Sequence, residues 1–173
     1  MLCPVSTAAE AAAAARAGAA FVDAGEDQAL VIAIREAGVD VPVCGPGETA
    51  DLSRDPVTAS RTGAGLICAD VAAADLAIRQ GIARDRIVVR ATARELADGG
   101  PAGWRVLVDV DAGLAGQPPG EAAARAGAVA AVCAWLGASL IRTRQVTEIG
   151  RCLDMTESIA GRRPPAWAVR GLA

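Results

Sequence analysis

Short apolar runs alternate with helical patterns along the whole chain. Seven runs rich in Val, Ile, Leu, Ala and Cys have the length and composition of buried strands. They are 2–5, 20–23, 41–44, 65–69, 86–89, 105–110 and 139–142. After each run comes a segment with apolar residues at helical spacing or an Ala-rich composition. These helical segments are 8–17, 28–37, 55–62, 72–80, 92–97, 121–136 and 146–159.

The strand–helix repetition predicts a parallel sheet. The runs alternate little between apolar and polar residues, which is typical of strands that are covered on both faces. Parallel strands joined through helices form right-handed crossovers, and about eight such units close a barrel. We therefore predict an α/β fold, a reduced TIM-like (β/α) barrel with about seven parallel strands. An open doubly wound sheet is the alternative.

The prolines near the end of the chain set the predicted domain boundary. Pro164 and Pro165 follow the last helical segment directly and end the regular pattern. We expect one barrel domain over residues 1–163 and a C-terminal tail over residues 164–173.

The composition removes several kinds of chemistry. His, Lys, Asn and Tyr are absent, and the 17 basic residues are all Arg. Without His there is no imidazole base, and without Lys there is no Schiff base or phosphate-loop lysine. A GC-rich genome also favours Arg and Ala codons, but such bias rarely removes a residue that catalysis needs. We therefore expect no catalytic residue of the usual types.

The charge and the cysteines bear on partners and location. A formal net charge of −3, without a basic cluster, argues against nucleic-acid binding. No apolar run is long enough to span a membrane, and the first residues lack a signal-peptide pattern, so we expect a cytoplasmic protein. The five cysteines form no CxxC pair, which favours buried free thiols over a metal site or disulfides.

Polar residues follow the predicted strands, where barrels and open α/β sheets both bind ligands. Arg142 and Arg144 follow the last strand, and strand alternation places them on the same side. Two guanidinium groups together make a phosphate or carboxylate site. The alternative is a pair of surface arginines that bridge to Glu148 or Asp154. Arg90 and Thr92 also lie on this rim.

Four carboxylates are the other pocket candidates. Asp109 and Asp111 end the strongest strand, and paired carboxylates can share a proton or bind Mg²⁺. The alternative for this pair is a capping role or salt bridges to the rim arginines. Asp23 and Asp70 end two earlier strands in the same way. We expect no metal or cofactor, because no cluster with metal-ligand spacing and no nucleotide-binding glycine motif is present.

Several segments resemble dihydropteroate synthases in the same order along the chain. Segments 104–110, 126–131 and 136–142 resemble the family's seventh strand, the helix after it and the eighth strand with its Arg-x-His motif. Earlier, 17–23 resembles the second strand and 62–71 the fourth. The resemblance implies a pterin-binding barrel with one strand–helix unit, the fifth, missing. It also implies dimerisation through the late helices.

The departures from the family pattern concern its pterin-binding side chains. The first-strand Asn motif becomes Cys3-Pro4-Val5, and the fourth-strand Asn becomes Ala69. The Asp-Pro-Gly and Ser-Arg-Lys segments are replaced by residues 90–94 and 109–113, and the final His by Arg144. The phosphate end, with Arg142, is kept best. Without its polar partners, the pterin edge costs about 1–3 kcal/mol per unmet group to desolvate.

Three hypotheses follow. The first is a catalytically degenerate homologue that binds a phosphate-bearing or pterin-like molecule, or a partner, in a role related to folate biosynthesis; the partner is a second copy or a true dihydropteroate synthase. The second is a working transferase that joins a pterin diphosphate to aminobenzoate. The third is another small barrel enzyme with a phosphorylated substrate. We favour the first.

Overall fold

The computed structural model describes residues 1–163, and within them eight parallel strands pair in chain order and close into a barrel. The strands are β1 (Leu2–Pro4), β2 (Phe21–Asp23), β3 (Val43–Cys44), β4 (Leu52–Ser53), β5 (Gly65–Cys68), β6 (Ile87–Arg90), β7 (Arg105–Asp109) and β8 (Leu140–Arg142). The helices are α1 (Ala8–Arg16), α2 (Gln28–Glu36), α3 (Pro56–Thr62), α4 (Val71–Arg79), α5 (Ala93–Ala97), α6 (Pro119–Trp135) and α7 (Val146–Ile159). A 3₁₀ turn at Arg84–Arg86 precedes β6. The predicted TIM-like α/β barrel is confirmed.

The barrel has one strand more than the seven runs in the sequence. The extra strand is β4, Leu52–Ser53, which is too short to show a period in the sequence. The segment matched to the family's fourth strand is therefore β5, and no strand is missing. What the described chain lacks is a helix between β3 and β4, which residues 45–51 join directly. The predicted C-terminal tail, 164–173, lies outside the described residues.

A side chain from α2 holds the helix-free connection in place. The Arg35 guanidinium donates to the Thr49 carbonyl at 3.2 Å and pairs with the Asp51 carboxylate. The same carboxylate accepts the backbone N–H of Val43 at 2.7 Å. The 45–51 connection is thus tied to both α2 and β3, and it covers the part of the barrel where a helix is absent.

Apolar side chains fill the barrel interior. The buried interior cluster consists of Leu2, Cys44, Leu52, Ile67, Leu107 and Leu140, with Phe21 and Val88 packed against it. The lumen is narrow, because a Cβ atom added at Gly65 would lie 2.6 Å from Leu52 Cδ2. The interior is therefore a packed core, as in other barrels of this kind, and not a channel.

Small side chains let the outer helices pack closely, as the Ala-rich composition suggests. Ala126, Ala130 and Cys133 of α6 are fully buried beside Ile149 of α7. A Cβ atom at Gly127 would lie 3.0 Å from a sulfur atom of α7. The described part of the chain contains no helix with the length and apolar character that crossing a membrane requires.

Several polar residues just after the strands serve as helix caps. Their side chains accept backbone N–H bonds from the first turn of the following helix, which satisfies donors that the helix leaves unpaired. They are Thr7, Asp27, Asp55, Asp70 and Thr92, before α1, α2, α3, α4 and α5. Capping explains much of the polarity of the strand ends and leaves fewer side chains for a site.

Candidate functional site

Four charged side chains meet at the carboxyl end of the barrel. Each stands two positions after a residue of the interior cluster, so strand alternation directs it toward the barrel axis. They are Asp23 at the end of β2, Arg54 directly after β4, Asp109 at the end of β7 and Arg142 at the end of β8. We call these four residues the mouth cluster.

Asp23 is the centre of the mouth cluster and is 1% exposed. Its Oδ1 accepts the Arg54 Nη2 group at 2.7 Å and the Gly25 N–H at 3.0 Å. Its Oδ2 accepts Arg142 Nε at 3.0 Å. The Arg142 Nη1 group in turn donates to Asp109 Oδ2 at 2.6 Å. Carboxylates and guanidinium groups therefore alternate across the mouth and neutralise one another.

The pairing favours the ionised forms of Asp23 and Arg142. Burial alone would raise the pKa of Asp23, but the bonds from Arg54, Gly25 and Arg142 outweigh it and hold the pKa below its usual range. Burial likewise acts to lower the pKa of Arg142, but Asp23 and Asp109 raise it overall. A general base at neutral pH needs a pKa near 7, so Asp23 is poorly suited to proton transfer.

A cysteine lies just below the mouth cluster, inside the barrel. Burial raises the pKa of the Cys44 thiol to about 12. The thiol is therefore protonated at neutral pH, and only a thiolate is an effective nucleophile or metal ligand. Cys44 acts as part of the apolar interior. Among residues 1–163, no group of three or more Cys, Asp or Glu side chains is arranged to hold a metal ion.

Two of the cavities at this end of the barrel are lined by residues of the mouth cluster and of β6 and β7. The central cavity has a volume of about 260 Å³ and is lined by Leu2, Asp23, Gly25, Glu26, Arg54, Ile67, Arg90, Leu107 and Arg142. The β6–β7 cavity has a volume of about 500 Å³, and its lining includes Arg90, Thr92, Arg94, Leu107, Asp109, Leu114, Arg125 and Val129. Because Arg90 and Leu107 line both, the two cavities are neighbours.

The structure places Arg142 and Arg144 apart. Arg142 belongs to the mouth cluster, whereas Arg144 lines a separate surface cleft of about 280 Å³ with Cys3, Glu10 and Glu148. β8 ends at Arg142, so strand alternation does not continue to Arg144. The backbone N–H of Arg144 instead donates to the Asp111 carboxylate at 2.6 Å. The expectation that the two side chains point to the same side is therefore wrong.

The structure places the four predicted carboxylates in different surroundings. Asp23 and Asp109 meet through their shared partner Arg142. Asp111 accepts the Thr143 hydroxyl at 2.9 Å as well as the backbone N–H after it, so it fastens the loop beyond β7 to the end of β8. Asp70 is exposed and caps α4. Salt bridges or a loop role were the alternative predicted for Asp109 and Asp111. Asp109 forms a salt bridge with Arg142, and Asp111 contacts the neighbouring loop.

Arg54 is the site residue that the sequence analysis missed. It follows the two-residue strand β4, which the pattern did not reveal. A signal was nevertheless present, because Leu52 and Arg54 stand two positions apart, like the apolar and charged residues at the other strand ends. Arg94 and Arg125, which line the β6–β7 cavity, lie on helices and carried no signal for a site.

Comparison with known proteins relates this barrel to one enzyme class. No protein-family model matches the chain. A stretch of 120 residues is 32% identical to inactive dihydropteroate synthase 2 of Mycobacterium tuberculosis and of Mycobacterium bovis, and it covers 59% of this chain. The match spans only 38% of the length of those relatives.

Solved structures show the same likeness in the fold. The Mycobacterium tuberculosis protein Rv1207 is 25% identical and superposes with a TM-score of 0.73, covering 95% of this chain and 92% of that one. Dihydropteroate synthase of Yersinia pestis is 16% identical with a TM-score of 0.75, covering 88% and 87% of the two chains. The enzyme of Anaplasma phagocytophilum, with bound 6-hydroxymethylpterin-monophosphate, is 14% identical with a TM-score of 0.73, covering 91% and 98%.

The fold and the charged mouth first define the class of the protein, an eight-stranded parallel α/β barrel with cavities at the carboxyl ends of the strands. Together with the sequence match, they show that the chain is similar to dihydropteroate synthases in its fold and over part of its sequence. The resemblance inferred from the segment order is confirmed.

Proposed function

We propose that the chain is a catalytically degenerate dihydropteroate synthase-like protein. The observation that carries the proposal is the state of Asp23, the buried carboxylate at the barrel mouth. It already accepts three hydrogen bonds from groups of the protein itself. A ring edge with donor groups needs acceptors that are available to it, and removing Asp23 from its partners would leave two guanidinium groups without a counter-charge.

The composition supports the same proposal. The chain has no Lys, His or Asn, so it has no ammonium group, imidazole or Asn amide to offer at the mouth. Each buried polar group that a ligand leaves unmet costs about 1–3 kcal/mol. Three such losses weaken binding of a pterin by several orders of magnitude. The relatives named inactive dihydropteroate synthase 2 agree with this proposal.

The remaining role that we propose is binding, in a function related to folate biosynthesis. A phosphate-bearing or pterin-like molecule that entered the central cavity would meet Arg54, Arg90 and Arg142. Arg144 would act at its own cleft, where its guanidinium is exposed. We place the protein in the cytoplasm, because all five cysteines are free thiols, as in a reducing compartment.

We expect purified protein to form no dihydropteroate from 6-hydroxymethylpterin diphosphate and aminobenzoate. The physical reason is the occupied Asp23 and the missing ring partners. A chromatographic product assay measures this, with a known dihydropteroate synthase as the positive control. Sustained product formation would favour the alternative, a working transferase with altered residues.

An apolar surface on the late helices supports self-association. The last turns of α6 and α7 expose large apolar side chains, and these two helices pack against each other. The residues are Val132, Trp135, Leu136, Met155 and Ile159, exposed by 42–69%. Large apolar patches of this kind are typical of protein interfaces. We propose a homodimer, or pairing with a true dihydropteroate synthase, through this α6–α7 surface.

We expect Trp135→Glu to convert a dimer to a monomer, because a charge would be buried at the centre of the interface. Sedimentation velocity measures the change. Arg151→Glu, an exposed change elsewhere on α7, is the matched control and should leave the dimer intact. A wild-type protein that sediments as a monomer when alone and also when mixed with a dihydropteroate synthase would contradict the proposed surface.

A further inference from the structure

The β6–β7 cavity combines three arginines with a single acid. Arg90 ends β6, Arg94 lies in the first turn of α5, and Arg125 lies on α6. The acid is Asp109, and both of its oxygens are engaged. Its Oδ1 accepts the backbone N–H of Asp111 at 3.1 Å, and its Oδ2 accepts a guanidinium group of the mouth cluster at 2.6 Å.

The positive charge of this cavity is poorly compensated. Within residues 1–163, the structure contains no ion pair for Arg90 or Arg125. Arg94 lies 3.7 Å from Asp98, and the two side chains are 90% and 71% exposed, so solvent screens most of their attraction. The charge of Asp109 is matched by an arginine from outside the cavity. The lining therefore has an excess of positive charge that a ligand could neutralise.

The rest of the lining is largely apolar. Leu107, Leu114 and Val129 form part of the wall, together with small residues of the two loops. A volume of about 500 Å³ is in the range of small-molecule sites, which pair apolar walls with a few placed polar groups. A ligand that satisfies both parts of the lining has an anionic head and an apolar body.

We propose that the β6–β7 cavity binds an organic phosphate monoester with an aromatic or aliphatic body. A phosphate monoester carries close to two negative charges at neutral pH and offers three acceptor oxygens. Guanidinium groups bind such oxygens in pairs, with matching geometry. The site uses neither Asp23 nor Arg54, although it shares Arg90 and Leu107 with the central cavity.

Calorimetry with phenyl phosphate tests the site. We expect saturable binding to the wild-type protein, weaker binding of inorganic phosphate and no binding of phenol. Arg90→Ala and Arg125→Ala should each weaken binding of phenyl phosphate by about tenfold to a hundredfold, because a hydrogen bond to a charged group is lost. Arg79→Ala removes the same charge from the exposed end of α4, outside the cavity, and should leave the affinity unchanged.

Three results would overturn the proposal. They are no binding of phenyl phosphate at millimolar concentration, equal affinity for inorganic phosphate, and equal weakening by Arg79→Ala and the cavity variants. Circular dichroism checks that each variant is folded. If Arg90→Ala or Arg125→Ala does not fold, Arg94→Ala, on the exposed rim of the β6–β7 cavity, takes its place. This titration contains no pterin, so its result does not depend on transferase activity. Product formation in the dihydropteroate assay would refute the proposed function and would leave the proposal for the β6–β7 cavity unchanged.

Discussion

Asp23→Ala is expected to destabilise the barrel by about 3–5 kcal/mol, because it leaves two partly buried guanidinium groups without their shared counter-charge. Arg54 and Arg142 both donate to Asp23, and their side chains are each 29% exposed. Urea unfolding followed by circular dichroism measures the change in the free energy of unfolding. Asp75→Ala, an exposed carboxylate on α4, is the control and should change it by less than about 0.5 kcal/mol.

The contribution of Asp23 to the free energy of unfolding should also depend on pH. Its pKa is lowered in the folded protein, so its ionised form stabilises the fold at pH values above the unfolded pKa, about 3.9. This stabilisation is lost as the pH falls through the folded pKa. The wild-type protein should therefore exceed Asp23→Asn in stability at pH 7, and the gap should narrow at pH 3. An equal difference in the free energy of unfolding at both pH values would contradict the pairing of an ionised Asp23 with Arg54 and Arg142.

Leu107→Ala is expected to cost about 2–5 kcal/mol, because it opens a hole in the packed barrel interior. Leu107 is 2% exposed and belongs to the interior cluster. It also forms part of the wall of both cavities at the mouth. The change should therefore lower the free energy of unfolding and enlarge the space that ligands can enter.

A volume-conserving substitution at Leu107 separates the loss of packing from other causes of destabilisation. Leu107→Met keeps most of the side-chain volume and should cost less than about 1.5 kcal/mol. The exposed Leu76→Ala on α4 should cost less than Leu107→Ala by a clear margin, since this leucine is already 49% exposed. Urea unfolding of the three variants measures these differences. Similar losses for Leu107→Ala and Leu76→Ala would show that the interior is not packed as described.

The fold was largely predictable because its signal is local. Buried parallel strands give short apolar runs, and helices give a period that can be counted, so seven of the eight strands were visible. β4 was not, because two residues cannot show a pattern. Its presence depends on pairing with β3 and β5, which the sequence does not encode within any short window.

The mouth cluster was only partly predictable because its contacts are long-range. Asp23 and Arg142 are 119 positions apart, and closure of the barrel between β1 and β8 brings them together. Strand-end position identified Asp23, Asp109 and Arg142 as candidates. It could not tell that Asp111 would bond the neighbouring loop, since this depends on the path of the chain after the strand.

The acids at the barrel mouth are paired with arginines of the same chain. Arg54 and Arg142 pair with the buried carboxylate of Asp23, and the neighbouring β6–β7 cavity has an excess of positive charge. We propose that the barrel keeps its shape and an affinity for anions without recognition of a pterin.

Titration of the purified protein with 6-hydroxymethylpterin diphosphate, in parallel with Asp23→Asn, decides whether Asp23 recognises a pterin ring or is held by its two arginines. If Asp23 is held by Arg54 and Arg142, the wild-type protein binds the diphosphate only weakly, and Asp23→Asn, which frees these two guanidinium groups, binds it at least as tightly. Micromolar binding by the wild-type protein that Asp23→Asn abolishes would show that the carboxylate reads the pterin ring, and would contradict the account.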